Sequence, residues 1–150
     1  MVALDPSNNS RTLPCAVPEA KVTRNVANFL VKQGYAIWFE VPNLGQSADL
    51  VAGKKRDLTF VEVKMKDWRR ALKQCRAHHM VADYICIAVA QVRPSEALVA
   101  EAGRMGYGVI HCDLDGDDCR WIREPVRLEE YWEPERNRLI SRINAIPQYA

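Results

Sequence analysis

The run YICIAVA, Tyr84 to Ala90, contains no charged or amide side chain. A strand with apolar groups pointing both ways has to be covered on both faces, so the chain must supply helical layers above and below a sheet. Segments that can do this lie on either side of it. DWRRALKQCRAHHMVAD precedes the run with Asp67 as candidate N-cap and Trp68, Leu72, Cys75 and His79 along one side. RPSEALVAEAGRMG follows it with Ser95 as a cap and a glycine exit. A chain of 150 residues, 48% of them hydrophobic, has the size of one domain with a real core.

The remaining segments complete that layered arrangement. Residues 1–17, rich in Pro, Ser, Asn and Thr, are expected to form a flexible arm. A helix is expected from Pro18, with Val22, Val26, Phe29 and Leu30 as its apolar stripe and Gly34 as its end. YAIWFEV, closed by Pro42, Asn43 and Gly45, reads as a strand, and SADLVAG and LTFVEVK read as two more joined by the short connector KKRD. YGVIHCDL is a further strand, and Asp115-Gly116 predicts a hairpin into CRWIRE. Pro134 opens a last helix with Leu139, Ile140 and Ile143 on its apolar side and Arg136, Arg138 and Arg142 as its charges. The expected fold is an α/β sandwich around a central mixed sheet with a three-strand meander. Residues 18–126 form its core and 127–150 a C-terminal helical extension of the same domain.

Charge is unevenly spread in a chain of net +2. Lys54 to His79 holds nine Lys/Arg against three acids, and Asp113 to Glu135 holds nine acids against three arginines. The first stretch can attract a polyanion although the whole chain is nearly neutral. No segment has the ~18 uninterrupted apolar residues of a membrane span, and the N-terminal residues lack a signal-peptide pattern, so a cytoplasmic protein is expected. Cys15, Cys75, Cys86, Cys112 and Cys119 form no CxxC pair and are expected to be reduced structural thiols.

The stretch FVEVKMKDW, Phe60 to Trp68, puts Glu62 and Lys64 on one face of a strand. If the preceding turn centres on Lys55 and Arg56, Lys54 faces Asp57, Gly53 faces Leu58, Val51 faces Phe60 and Asp49 faces Glu62. Opposed side chains in an antiparallel pair share a face with Cβ atoms about 5 Å apart, and like charges there destabilise the sheet. A hard divalent cation between the carboxylates would remove that penalty, and magnesium or manganese is the natural choice. An ammonium one step further along, Lys64, could orient water or neutralise charge on a phosphate.

Asp49 in SADL followed by Glu62-Val63-Lys64 in FVEVK resembles the signature of the PD-(D/E)XK nuclease superfamily, with Ala48 where the motif's name has proline. The resemblance covers roughly residues 18–113. It implies a restriction-endonuclease-like fold and a phosphodiester hydrolase in which Asp49, Glu62 and the main-chain carbonyl of Val63 bind magnesium and Lys64 assists the attacking water. Glu19 in the first helix and Gln74 in the helix after the lysine match supporting positions of the family, the latter in its resolvase-like branch, and Glu40 is a weaker match. Lys54, Lys55, Arg56, Lys66, Arg69, Arg70, Lys73 and Arg76 would then contact the phosphate backbone, of DNA rather than RNA. The expected activity is a structure-specific or weakly sequence-specific endonuclease of resolvase, repair or phage type, with a homodimer suited to cutting two strands. The alternative is a non-catalytic nucleic-acid-binding or assembly module that keeps the fold.

Overall fold

The computed structural model describes residues 18–113, 115 and 118–149; the expected N-terminal arm with Cys15, and Gly116 and Asp117 of the expected hairpin tip, lie outside them. The described chain runs α1 (Glu19–Val31), β1 (Ala36–Asn43), β2 (Gln46–Lys54), β3 (Asp57–Lys64), α2 (Trp68–Cys75), a 3-10 turn (Arg76–His78), β4 (Tyr84–Ala90), α3 (Glu96–Met105), β5 (Gly108–Cys112), β6 (Cys119–Arg123) and α4 (Glu133–Asn144). All the strands lie in one open sheet in chain order. β1, β2 and β3 form an antiparallel meander, β3, β4 and β5 are parallel, and β6 closes back antiparallel on β5.

Both faces of the sheet are covered, as the apolar β4 run demands. Val22, Val26, Ala27 and Leu30 of α1 pack on Leu50, Ala52, Val61, Val63, Cys86 and Ala88. The opposite face carries Val51, Phe60, Ile85, Ile87 and Val89 under Trp68, Ala71 and Leu72 of α2, Leu98 and Ala102 of α3, and Leu139 and Ile143 of α4. Ser95 caps α3 through Leu98 N at 3.2 Å, and Gly106 ends it at φ +79°. Asp67 caps α2 through Arg70 N at 3.3 Å.

Several local expectations change. β1 continues through Pro42 to Asn43, as an edge strand permits for proline, and the turn falls at Leu44 and Gly45, both with positive φ. α2 stops at Cys75 instead of continuing through the whole basic segment, and the tighter 3-10 turn that follows rotates His78 rather than His79 fully into the interior. Arg136 is not a surface charge of the last helix. It is 8% exposed and holds Asp83 Oδ2 at 2.8 Å and the carbonyl of Val81 at 2.8 Å. Leu139 and Ile143 are consumed by the core, leaving only Ile140 of that stripe exposed. Cys112 and Cys119 are not free thiols either: they are opposed across β5 and β6 and joined as a disulfide, whereas Cys75 and Cys86 are buried and free. Among the described residues no helix is long and apolar enough to cross a membrane.

Candidate metal and nucleic-acid site

The β2–β3 register pairs Leu50 with Val61, Val51 with Phe60, Gly53 with Leu58 and Lys54 with Asp57. The paired ladder ends at Leu50 and Val61, one step short of the expected Asp49–Glu62 pair, and the Glu62 charge is among the causes that raise the Asp49 carboxyl. Asp49 also sits where the other side of its strand is interrupted. The β1–β2 pairs Phe39 with Leu50 and Val41 with Ala48 bracket Glu40 opposite Asp49, and Glu40 has φ +48°. Both strands change face at this point: Ile37 and Leu50 lie under α1, but Val41 and Ala48 lie in the opposite layer. A non-glycine residue at positive φ costs on the order of 1 kcal/mol, and such strain collects at sites where geometry matters. Beside this kink Asp49 Oδ2 accepts the Val63 N–H at 2.7 Å.

Glu62 is 3% exposed and its Oε2 accepts a hydrogen bond from His78 Nε2 at 2.8 Å. His78 is fully buried, with the Phe60 ring 4.7 Å away. Its Nδ1 faces the Asn43 amide nitrogen at 3.0 Å, and that nitrogen also donates to the Ala77 carbonyl at 3.1 Å. Burial pushes the Asp49 carboxyl up to about 7; the Val63 amide opposes the shift, and the charges of Glu62 and Glu19 add to it. Burial, then Glu62, also holds the Cys75 thiol protonated well above its usual range.

Glu19 lies exposed in the first turn of α1, near enough for its charge to reach Asp49. Lys64 ends β3, half-buried, two residues beyond Glu62 and therefore on the same side. Gln74 is half-buried one turn before His78, and its Oε1 is buried without a hydrogen bond. Glu40 is exposed at the kink. The expected cations divide into two groups. Lys66, Arg69, Arg70, Lys73 and Arg76 are exposed on α2 and its flanks, beside the end of β3 that carries Lys64. Arg69 lies over the Trp68 ring at 4.3 Å. Lys54, Lys55 and Arg56 occupy the β2–β3 turn at the other end of β3, roughly 17 Å from Glu62 at strand rise. There Lys54 Nζ donates to the Gln33 carbonyl at 2.8 Å.

Among the described residues no three His, Cys, Asp or Glu side chains gather as a metal shell. The donor set expected here is smaller: two carboxylates and a main-chain carbonyl, with water filling the remaining positions as magnesium prefers. The chemistry of Asp49 and Glu62, two oxygen donors whose charges act on each other, suits that group.

The Asp49 shift has a measurable consequence. Its folded value near 7 exceeds the ordinary 3.8, so the folded chain holds this proton more tightly than the unfolded chain. Stability is therefore lost as pH rises through the folded value. We expect Asp49→Asn, which keeps an oxygen for the Val63 N–H, to be stabilising by about 1–2 kcal/mol more at pH 8 than at pH 5 after allowance for partial solvent screening. Urea melts of both proteins at the two pH values check this; a pH-independent difference would mean that burial and the neighbouring charges do not raise this carboxyl.

No family model and no curated protein matches the chain. It is similar to a solved structure of a protein of unknown function from Silicibacter pomeroyi, with TM-score 0.67 over 85% of this chain and 84% of that one at 22% identity. That likeness speaks for a shared mixed α/β fold.

Proposed function

We propose that the chain is a magnesium- or manganese-dependent endonuclease of restriction-endonuclease-like fold that hydrolyses DNA phosphodiester bonds with structure or weak sequence preference. The observation that carries this reading is that the Glu62 charge acts on Asp49 from the neighbouring strand, with Lys64 two residues beyond Glu62 on β3. The order helix, antiparallel meander, helix and parallel strand supports it, because that is what the resemblance implied.

Asp49, Glu62 and the Val63 carbonyl would hold the ion. When bound, the divalent cation supplies Lewis-acid polarisation of the scissile phosphate and lowers the pKa of water. Lys64 brings an ammonium that orients the attacking water and offsets charge building on the phosphate. The Glu19 charge acts on Asp49 from the first turn of α1, and Gln74 offers an unengaged amide oxygen. Lys66, Arg69, Arg70, Lys73 and Arg76 present cations for phosphates, which positions a duplex without reading its bases. The three cations of the β2–β3 turn stand apart and would meet a second stretch of backbone. A homodimer would need a surface other than the Leu139 and Ile143 stripe, which is spent on the core.

The test is incubation with linear, single-stranded, flapped and four-way-junction DNA, and matching RNA, in magnesium, manganese or EDTA. Metal-dependent DNA cleavage is expected. One observation favours the non-catalytic module as second reading: among the described residues no three His, Cys, Asp or Glu side chains gather as a metal shell. Salt-sensitive DNA binding with no cleavage in either metal would select that reading.

A further inference from the structure

The buried side of the carboxylate pair is a chain of hydrogen bonds running from Asn43 through His78 to Glu62. Its polarity follows from the contacts. The Asn43 amide nitrogen faces both the Ala77 carbonyl and His78 Nδ1. Turning the amide over would set its oxygen against the Ala77 carbonyl, so nitrogen is the atom that belongs there. Nδ1 must then accept, the imidazole proton sits on Nε2, and Nε2–H donates to Glu62 Oε2 at 2.8 Å. The arrangement leaves Asn43 Oδ1 buried without a hydrogen bond, an expense of the kind buried sites bear when orientation matters. His78 is fully buried, so it reaches the site only through Glu62.

Resting on the metal-dependent reading above, we propose that His78 is a positioning residue: it pins one oxygen of Glu62 and thereby presents the other toward Asp49 for a divalent cation. Without it, a glutamate side chain gains rotamers that point away from Asp49, and ordering it again weakens ion binding. Groups that orient metal ligands in this way typically contribute 10–100-fold to affinity. The 3-10 turn after α2 is what delivers His78 to this place, which gives the early end of that helix a role.

Manganese affinity of the intact protein, measured by calorimetry and by the electron paramagnetic resonance of free ion, tests this apart from cleavage. His78→Leu refills the apolar volume against Phe60 but cannot donate, whereas His78→Gln restores a donor near the Nε2 position. We expect His78→Leu to bind manganese 10–100-fold more weakly and His78→Gln to stay within a few-fold of the unaltered protein, with circular dichroism and urea midpoints confirming that both fold. Equal affinity in His78→Leu, or no advantage of Gln over Leu, would overturn the positioning role while leaving the metal site standing. Should the unaltered protein bind no manganese, the metal reading falls and takes the positioning role with it. The imidazole nitrogen shifts of the ion-free protein would then still report whether Nε2 carries the proton, separating the hydrogen-bond chain from its use.

Discussion

Glu62→Gln is expected to lower metal-dependent cleavage by about a thousandfold or more with the fold intact, and Lys64→Ala to lower it by a factor on the order of 10²–10³. Gln is the informative replacement at position 62. It keeps an oxygen to accept the His78 Nε2–H and removes only the charge that would hold the ion. Glu62→Ala would instead strand a buried donor, a loss of about 1–3 kcal/mol that confuses chemistry with stability. Lys64, at the half-buried end of β3, can be truncated at little structural cost. Single-turnover cleavage of the best substrate in magnesium, with thermal melts beside it, reads both effects. Activity equal to the unaltered protein in Glu62→Gln would remove the carboxylate pair from the chemistry altogether.

Arg136→Ala is expected to destabilise the chain by about 3–5 kcal/mol, enough to unfold a domain of ordinary stability in part. Arg136 donates to Asp83 Oδ2 and to the carbonyls of Val81 and Arg56, while Asp83 Oδ2 also accepts the Leu58 N–H at 2.8 Å. The aspartate is 3% exposed, so removing its partner leaves a charge with little water to solvate it. Arg127 also touches Asp83, at 3.2 Å, but from an exposed position. Arg127→Ala should therefore cost far less than Arg136→Ala. Urea denaturation of the two variants gives the comparison, and similar midpoints would show that the buried pair is not what holds α4 to the sheet.

The carboxylate pair was legible because it rests on arithmetic. Once the turn is placed at Lys55 and Arg56, strand alternation fixes what faces what, and the register follows it as far as Leu50 and Val61. β4 was legible for a similar reason, since an apolar run of that length has few environments open to it. His78 was not. Helical periodicity carried past Cys75 places His79 on the buried stripe, and nothing in a single sequence marks where an α-helix tightens into a 3-10 turn. The kink at Glu40 escaped too, because positive φ is usually signalled by glycine or asparagine and here falls on glutamate. Arg136 looked like a solvent charge because its partner lies far away in sequence, on a residue that itself reads as the loop before β4. The Cys112–Cys119 pair was missed although the expected Asp115-Gly116 hairpin already opposes the two positions, because CxxC spacing reads the cysteines along the chain and not for cross-strand register.

The buried Asp83–Arg136 contact also bears on the order of events at the ribosome. Asp49, Glu62 and His78 are all synthesised before Asp83, and Arg136 follows Asp83 by about fifty residues. While the chain is still emerging, Asp83 is a charged group without its guanidinium at the head of the central strand, which disfavours closing the sheet around it. The site should therefore mature late, after α4 has left the exit tunnel. A nascent chain halted before Arg136 should remain protease-sensitive even though every residue of the candidate site has already been made.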